Sequence, residues 1–137
     1  MHEQAKCEEA RTRLVVRRFL DAVESRDLEA IGACFAPDAT YRNVPHDPVV
    51  GPQGVRSMFA AIVARSARIE WEIVSEAYAG RRAHLERIDR FWIDGRVYAA
   101  PCHGVVVVDT GTDPALIMEF RDYLDLGAWR AVLSGVL

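Results

Sequence analysis

The sequence predicts an α+β fold in which a curved β-sheet wraps around N-terminal helices and can enclose a pocket. Two patterns lead to this prediction. Apolar residues recur at steps of three and four through the first half of the chain, and they alternate with polar residues through the second half. The chain of 137 residues is long enough for one core and too short for two stable ones. We therefore assign residues 1–137 to a single domain, with residues 1–7 as a flexible N-terminus.

The first half contains the predicted helices and one short strand. Asp27 is suited to cap the second helix, because its side chain can accept a hydrogen bond from a free backbone N–H. Pro52 suits the first turn of the third helix, where a missing N–H is tolerated. In chain order, we predict a helix over about Glu8–Ser25, a helix over Leu28–Phe35, a strand over Ala39–Val44, a loop over Pro45–Gly51 and a helix from Pro52.

The second half is predicted to form long strands. Asp94 and Gly95 separate two alternating segments, and this pair is a strong signal for a tight hairpin turn. In chain order, we predict strands over Ile69–Ile73, Arg82–Ile93, Arg96–Asp109 and Ala115–Leu126, and a short closing helix over Trp129–Leu133.

Charged residues within two of these strands are the most informative feature of the sequence. Successive side chains of a strand point to opposite faces. In the strand over residues 82–93, the otherwise apolar face contains Arg87 and Asp89, and in the last strand the otherwise apolar face contains Asp122. The apolar members of these faces are Ala83, Leu85, Phe91 and Ile93 in the first strand and Leu116, Met118, Phe120, Leu124 and Leu126 in the last.

These three charges are predicted to form one cluster, with the Arg87 guanidinium between the carboxylates of Asp89 and Asp122. Burying an unpaired ion costs several kcal/mol, whereas a domain of this size is stable by only ~5–15 kcal/mol in total. The ionised cluster has one net negative charge, so one carboxyl group is expected to titrate well above its usual pKa. One carboxylic acid beside one carboxylate supports acid and base catalysis. An ion cluster that only joins two strands is the structural alternative.

Several segments resemble the limonene-1,2-epoxide hydrolase family, and the resemblance extends from about Leu14 to Trp129. The matching segments are Ala39-Thr-Tyr-Arg-Asn-Val-Pro, Glu86-Arg-Ile-Asp-Arg-Phe, Pro101-x-x-Gly104 and Phe120-Arg-Asp-Tyr-Leu-Asp. The resemblance implies a nuclear-transport-factor-like (NTF2-like) or SnoaL-like fold, a cone-shaped α+β barrel similar to that of cystatins. It also implies an enzyme that hydrolyses a small epoxide to a vicinal diol without a metal or an organic cofactor.

The resemblance implies a role for each polar residue. Asp122 matches the general base that deprotonates the attacking water, and Tyr41 and Asn43 match the residues that hold this water. Asp89 matches the general acid that protonates the epoxide oxygen, and Arg87 matches the bridge between the two carboxylates. Tyr41 and Asn43 are two residues apart, so both project from one side of their strand.

The expected substrate is a largely apolar epoxide, because the remaining inward-facing candidates are apolar. For residues of this kind plain core packing is the more frequent explanation. The candidates for substrate contact are Leu20, Val23, Trp71, Phe91, Phe120, Leu124 and Trp129.

Two other functions are compatible with the sequence. A ketosteroid-isomerase-like or polyketide-cyclase-like enzyme would recruit Tyr41 and Asp89 to move protons beside a carbonyl group. A non-catalytic ligand-binding or dimerisation module is the alternative from another class.

Composition excludes several classes of partner. The formal net charge is −3 and the basic residues are scattered, so we expect no nucleic-acid partner. No apolar run approaches the ~20 residues of a membrane span, and the polar N-terminal stretch lacks a signal-peptide core, so we expect a cytoplasmic protein. Cys7, Cys34 and Cys102 are too widely spaced for a zinc or redox motif. The family resemblance implies a homodimer.

Overall fold

The computed structural model describes residues 2–136 and contains a six-stranded mixed sheet with helices packed against it. This arrangement confirms the predicted α+β class. The sheet order is β2-β1-β6-β5-β4-β3, so β2 and β3 are its edges and the sheet does not close into a barrel. The elements are α1 (His2–Glu24), α2 (Leu28–Ala33), β1 (Phe35–Asn43), β2 (Val49–Val50), α3 (Gly51–Arg65), β3 (Arg68–Ala79), β4 (Arg82–Ile93), β5 (Arg96–Asp109), β6 (Leu116–Leu124) and α4 (Leu126–Leu133).

The helices follow the predicted caps. The Asp27 side chain accepts a hydrogen bond from the Ala30 backbone N–H at 3.1 Å, and Pro52 lies in the first turn of α3. Helix α1 begins at His2, six residues before the predicted start. Residues 2–7 are all exposed, so they contain no apolar periodicity from which a helix could be predicted. No helix within residues 2–136 is both long and apolar enough to cross a bilayer.

The hairpin between β4 and β5 is confirmed, since Asp94 and Gly95 both have positive φ angles, 51° and 76°. Strand β2 lies in the segment predicted as a loop. It pairs with β1 through only two residues, Val49 and Val50, and two residues are too few to show an alternating pattern.

A bulge corrects the predicted face of β6. Val107 and Val108 of β5 pair with Glu119 and Ile117, so Met118 is an extra residue in β6. Because of the bulge, the β6 side chains that precede it point to the opposite faces of the sheet from those that simple alternation predicts. Ile117 is therefore buried and Met118 is exposed, whereas alternation predicts the opposite.

The strand register brings four strands together at one place. Strands β1 and β6 pair in parallel, with Asn43 opposite Asp122. Strands β4, β5 and β6 are antiparallel neighbours, with Arg87 opposite Cys102 and Gly104 opposite Asp122. This register places the three predicted charges side by side on the inner face of the sheet.

Helix α1 covers the inner face, and Phe19 is fully buried at the centre of an aromatic core. The rings in contact with Phe19 are those of Phe35, Tyr41, Phe59, Trp71 and Phe120, with centroids 5.1–6.3 Å away. The charged cluster lies directly beside this core.

Candidate active site

Arg87 is the largest fully buried side chain of the described residues, with 1% of its surface exposed. Its Nε and Nη2 atoms donate hydrogen bonds to Asp89 Oδ1 and Oδ2, both at 2.9 Å. Its Nη1 atom lies 3.0 Å from Asp122 Oδ1. One guanidinium therefore bridges two buried carboxylates from β4 and β6, as the alternation of these strands predicts.

The surroundings of Arg87 fix its position. The guanidinium lies over the Trp71 ring, 4.2 Å from the centroid, an arrangement that favours a cation. On the β5 side, Gly104 leaves the necessary room. A Cβ atom there would lie 2.5 Å from Arg87 Nη1 and 2.9 Å from Asp122 Oδ1. A side chain at position 104 would push the cluster apart.

Asp122 is also bound from β1. The Tyr41 hydroxyl donates a hydrogen bond to Asp122 Oδ2 at 2.6 Å, and its ring stacks on Phe120 with centroids 4.5 Å apart. Asn43 is half-buried on the cavity wall. Its Cα is the register partner of Asp122. Tyr41 thus contacts the carboxylate that the family resemblance implies as the base, and Asn43 lies next to Asp122 in the strand register and shares the cavity wall with it.

Cys102 is a member of the cluster that the sequence analysis did not identify. Its Sγ atom accepts a hydrogen bond from Arg87 Nη2 at 2.9 Å and contacts Asp89 Oδ2 at 3.3 Å. Alternation along β5 places Cys102 on the same face as Gly104, and this was the available signal. A lone cysteine on an apolar strand face is usually a small core residue, and the alternation alone does not distinguish Cys102 from one.

The cluster opens into a cavity of about 190 Å³. Four of the predicted substrate contacts line it: Trp71, Phe91, Leu124 and Trp129. The other three, Leu20, Val23 and Phe120, are buried in the core instead. Leu20 and Val23 lie on α1, whose apolar face packs against the sheet. Phe120 stacks on the Tyr41 ring, and of these two residues only Tyr41 lines the cavity.

The rest of the wall comes from residues of α3, β5 and α4 that were not predicted as substrate contacts. Helix α3 contributes an apolar stripe that continues from the core to the cavity, and α4 contributes a second residue beside Trp129. The additional wall residues are Met58, Phe59, Ala61, Ile62, Ala100, Cys102 and Leu133. The periodicity of α3 identifies this stripe but not which of its turns faces open space.

Burial sets the ionisation of the cluster. Burial raises the pKa of Asp89, and the Asp122 carboxylate adds to this, although the Arg87 guanidinium acts in the opposite direction. Burial lowers the pKa of Arg87, but its two carboxylate partners outweigh burial and raise that pKa well above its usual range. Burial and Asp122 raise the pKa of Tyr41. Arg87 is thus a permanent cation and Tyr41 a permanent donor, while the pKa of Asp89 lies above its ordinary value.

This arrangement can move two protons at once. The Asp122 carboxylate accepts a hydrogen bond from Tyr41 and can act as a base, while Asp89 can act as an acid, and both carboxyl groups line the same apolar cavity. Among residues 2–136, no three His, Cys, Asp or Glu side chains are grouped so that they could hold a metal ion.

Comparison with known proteins decides the family. Residues 16–113 match the SnoaL-like domain. The chain belongs to this family. The match spans more than half of the SnoaL-like chain and ends before Asp122. The fold is accordingly the SnoaL-like or NTF2-like fold that the resemblance implies.

Solved structures with the same fold include enzymes. An LEH-like epoxide hydrolase from M. tuberculosis is 25% identical to this SnoaL-like protein, with a TM-score of 0.74, and the alignment covers 88% of this chain and 86% of that one. The BvnE pinacolase from Penicillium brevicompactum has a TM-score of 0.80 at 10% identity, with 93% and 91% covered. A protein with a ketosteroid isomerase-like fold from Catenulispora acidiphila has a TM-score of 0.71 at 22% identity, with 85% and 89% covered. The last two likenesses show the fold alone.

Proposed function

We propose that this SnoaL-like protein is an epoxide hydrolase of the limonene-1,2-epoxide hydrolase type. It would add water to a small, largely apolar epoxide and release a vicinal diol, with no covalent intermediate. The main support is the fully buried Arg87 between Asp89 and Asp122, two carboxyl groups that open into one apolar cavity. The 25% identical LEH-like epoxide hydrolase adds to this support.

Asp122 acts as the general base in this proposal. Its Oδ2 atom accepts a hydrogen bond from the Tyr41 hydroxyl, and its Oδ1 atom lies 3.0 Å from Arg87 Nη1 as an ion pair without hydrogen-bond geometry. Tyr41, Asn43 and Asp122 together would bind the attacking water, because phenol, amide and carboxylate provide both donors and acceptors. Asp122 takes a proton from this water as the water oxygen forms a bond to an epoxide carbon from the side opposite the ring oxygen.

Asp89 acts as the general acid. The ring C–O bond breaks as Asp89 transfers its proton to the departing oxygen, which becomes the second hydroxyl of the diol. Burial raises the pKa of Asp89, a shift in the direction that a general acid requires. No other reactant is needed, and the reaction requires neither a metal nor an organic cofactor.

Arg87 keeps the cluster neutral throughout the reaction. Before the reaction the negative charge is on Asp122, and afterwards it is on Asp89, while the guanidinium contacts both. The net charge is therefore zero at the start and at the end, which a cavity of low dielectric tolerates far better than a change in net charge. Proton exchange with water then restores the starting state.

The cavity selects an apolar substrate in this proposal. Trp71, Phe91, Leu124 and Trp129 form its walls, and the volume of about 190 Å³ accommodates a small ring or an aryl group. We also propose that the protein acts as a homodimer, on the basis of the family resemblance.

The position of Tyr41 favours hydrolysis over isomerisation of a carbonyl compound. An isomerase would direct this phenol at the substrate oxygen, whereas here the hydroxyl donates to Asp122 at 2.6 Å. A binding module would need no such base. Product analysis separates these alternatives.

The deciding experiment is a single turnover in oxygen-18 water, with protein in excess over terpene, cyclic meso and styrene-type epoxides. We expect a diol that contains one labelled oxygen in the first turnover, because water attacks the substrate carbon directly. An unlabelled first-turnover diol would mean that a carboxylate attacks and forms an ester. Folded protein that yields no diol from any of these epoxides would contradict the proposal. The exposed Asp38→Asn variant is the matched control and should behave as the wild type.

A further inference from the structure

Cys102 contacts both Arg87 and Asp89, the residue that we propose as the general acid. It is 8% exposed, lies opposite Arg87 in the β4–β5 register and lines the cavity. Its Sγ atom is 2.9 Å from Arg87 Nη2 and 3.3 Å from Asp89 Oδ2. Sulfur, guanidinium and carboxylate thus form a closed triangle.

The two hydrogen-bond partners of Asp89, Arg87 and Cys102, differ in whether they can donate or accept a hydrogen bond. Arg87 donates to both carboxylate oxygens, at 2.9 Å each, and a guanidinium has no acceptor. The Cys102 thiol can either donate its S–H or accept a hydrogen bond on sulfur. Among the described residues, Arg87 and Cys102 are the side chains that hydrogen-bond to the Asp89 carboxyl group. Of these two, only the Cys102 thiol can accept a hydrogen bond from Asp89 when the carboxyl group is protonated.

We propose that Cys102 is a positioning residue for the general acid, and this inference rests on the proposed function. The thiol donates to Asp89 Oδ2 while Asp89 is a carboxylate and accepts from Oδ2 while Asp89 is a carboxylic acid. By rotation of one S–H bond, Cys102 accommodates both forms of Asp89 that the reaction cycle requires and keeps its proton on Oδ2.

The groups facing Asp89 come from every neighbouring strand. They are Arg87 on β4, Cys102 on β5 and Asp122 on β6, while β3 presents the neutral Trp71. Tyr41 on β1 reaches the cluster through Asp122. Cys102 is neutral and within hydrogen-bond distance of Asp89, so it can be changed without altering the number of charges.

The thiol is suited to share a cavity with a reactive substrate. Burial raises the pKa of Cys102 well above its usual range, so the group stays a neutral thiol. The thiolate is the nucleophilic form, and a neutral thiol leaves the epoxide for water to attack.

The test compares Cys102→Ser and Cys102→Ala by two measurements. One is the alkaline limb of kcat/KM for diol formation, and the other is a carbon-13 NMR titration of the Asp89 carboxyl, assigned with Asp89→Asn. A hydroxyl donates more strongly to a carboxylate than a thiol does, and alanine does not donate. We expect the limb and the NMR titration to move to lower pH in the serine variant and to higher pH in the alanine variant, by about half a pH unit or more. Cys34→Ser, the other buried cysteine, should move neither.

An Asp89 titration that is the same in all these proteins would overturn the inference. A titration that moves equally in Cys34→Ser would do so as well, because it would indicate a general structural effect. The NMR measurement needs no substrate. If the wild type forms no diol, the proposed function fails, while the titration still decides whether Cys102 controls Asp89.

Discussion

Strand β4 contributes an arginine to an ion cluster on each of its two faces. On the inner face Arg87 contacts Asp89 and Asp122, and its side chain is completely buried. On the outer face Arg90 lies 3.1 Å from Glu70 and 2.7 Å from Glu72, with all three side chains partly exposed. In each cluster one guanidinium lies between two carboxylates. The inner cluster is buried and also contacts Tyr41 and Cys102, whereas the outer cluster is open to solvent and includes a second guanidinium, that of Arg68.

The comparison of the buried and the exposed cluster indicates that the proposed chemistry depends on burial and not on ion pairing alone. Water screens the outer cluster, and exposed ion pairs contribute little to stability. The inner cluster has lost its hydration, so each charge depends on its partners, and burial raises the pKa of Asp89. The following experiments change matched residues in the two clusters.

The largest effect on stability is expected from removal of the inner arginine. Arg87→Met leaves two carboxylates without their shared partner and should lower the free energy of unfolding by about 3–5 kcal/mol. Arg90→Met should leave the free energy of unfolding essentially unchanged. Urea unfolding of both variants tests this prediction, and similar losses would show that burial does not distinguish the clusters.

Removal of one carboxylate should reduce the rate of diol formation in the inner cluster but not in the outer one. Asp122→Asn keeps the shape of the side chain but not its basicity, and it should reduce diol formation about a thousandfold. Glu72→Gln, the matching change in the outer cluster, should leave the rate unchanged. Rates are measured by product chromatography and folding by circular dichroism. A folded Asp122→Asn variant with normal activity would remove Asp122 from the mechanism.

A smaller effect is expected where the backbone approaches the inner cluster. Gly104→Ala places a methyl group against Arg87 and Asp122, so we expect a loss of about 1–3 kcal/mol in stability together with reduced activity. Gly127→Ala is the control, because its Cβ has ordinary contacts and replaces a glycine in α4. It should be neutral or slightly stabilising. Thermal unfolding of both proteins measures the difference.

The smallest expected effect is on how the free energy of unfolding depends on pH, through Asp89 of the inner cluster. The folded-state pKa of Asp89 lies above its ordinary value, so the native state binds more protons than the unfolded state between these two values. The contribution of Asp89 to stability is therefore fully present below the ordinary aspartate pKa and is lost as pH rises through the folded value. Stability of the wild type relative to Asp89→Asn should fall with rising pH across this window. A constant or rising difference in urea titrations would contradict the prediction.

The inner cluster was predictable from the sequence because alternation is a strict geometric rule. Arg87 and Asp89 interrupt an otherwise apolar row of β4, and the cost of separate buried charges requires them to meet Asp122. The α+β class, the Asp27 cap and the Asp94-Gly95 turn were predictable for similar local reasons.

Other features depend on contacts between distant segments, and no local pattern specifies them. The bulge at Met118 lacks a marker such as glycine, so alternation assigned Met118 to the wrong face. Leu20 and Val23 have the same periodicity as residues that line a cavity, but the packing of α1 places them in the core. Cys102 resembles a small core residue until its neighbours are known.

The parallel pairing of β1 with β6 has a consequence for folding. It joins Tyr41 to Asp122 across 81 positions of the chain. Arg87 and Asp89 are neighbours on one strand and can meet locally, whereas Asp122 joins them only when β6 is inserted between β1 and β5. Contacts between distant segments form slowly, so we expect the complete inner cluster to be among the last parts of the sheet to assemble.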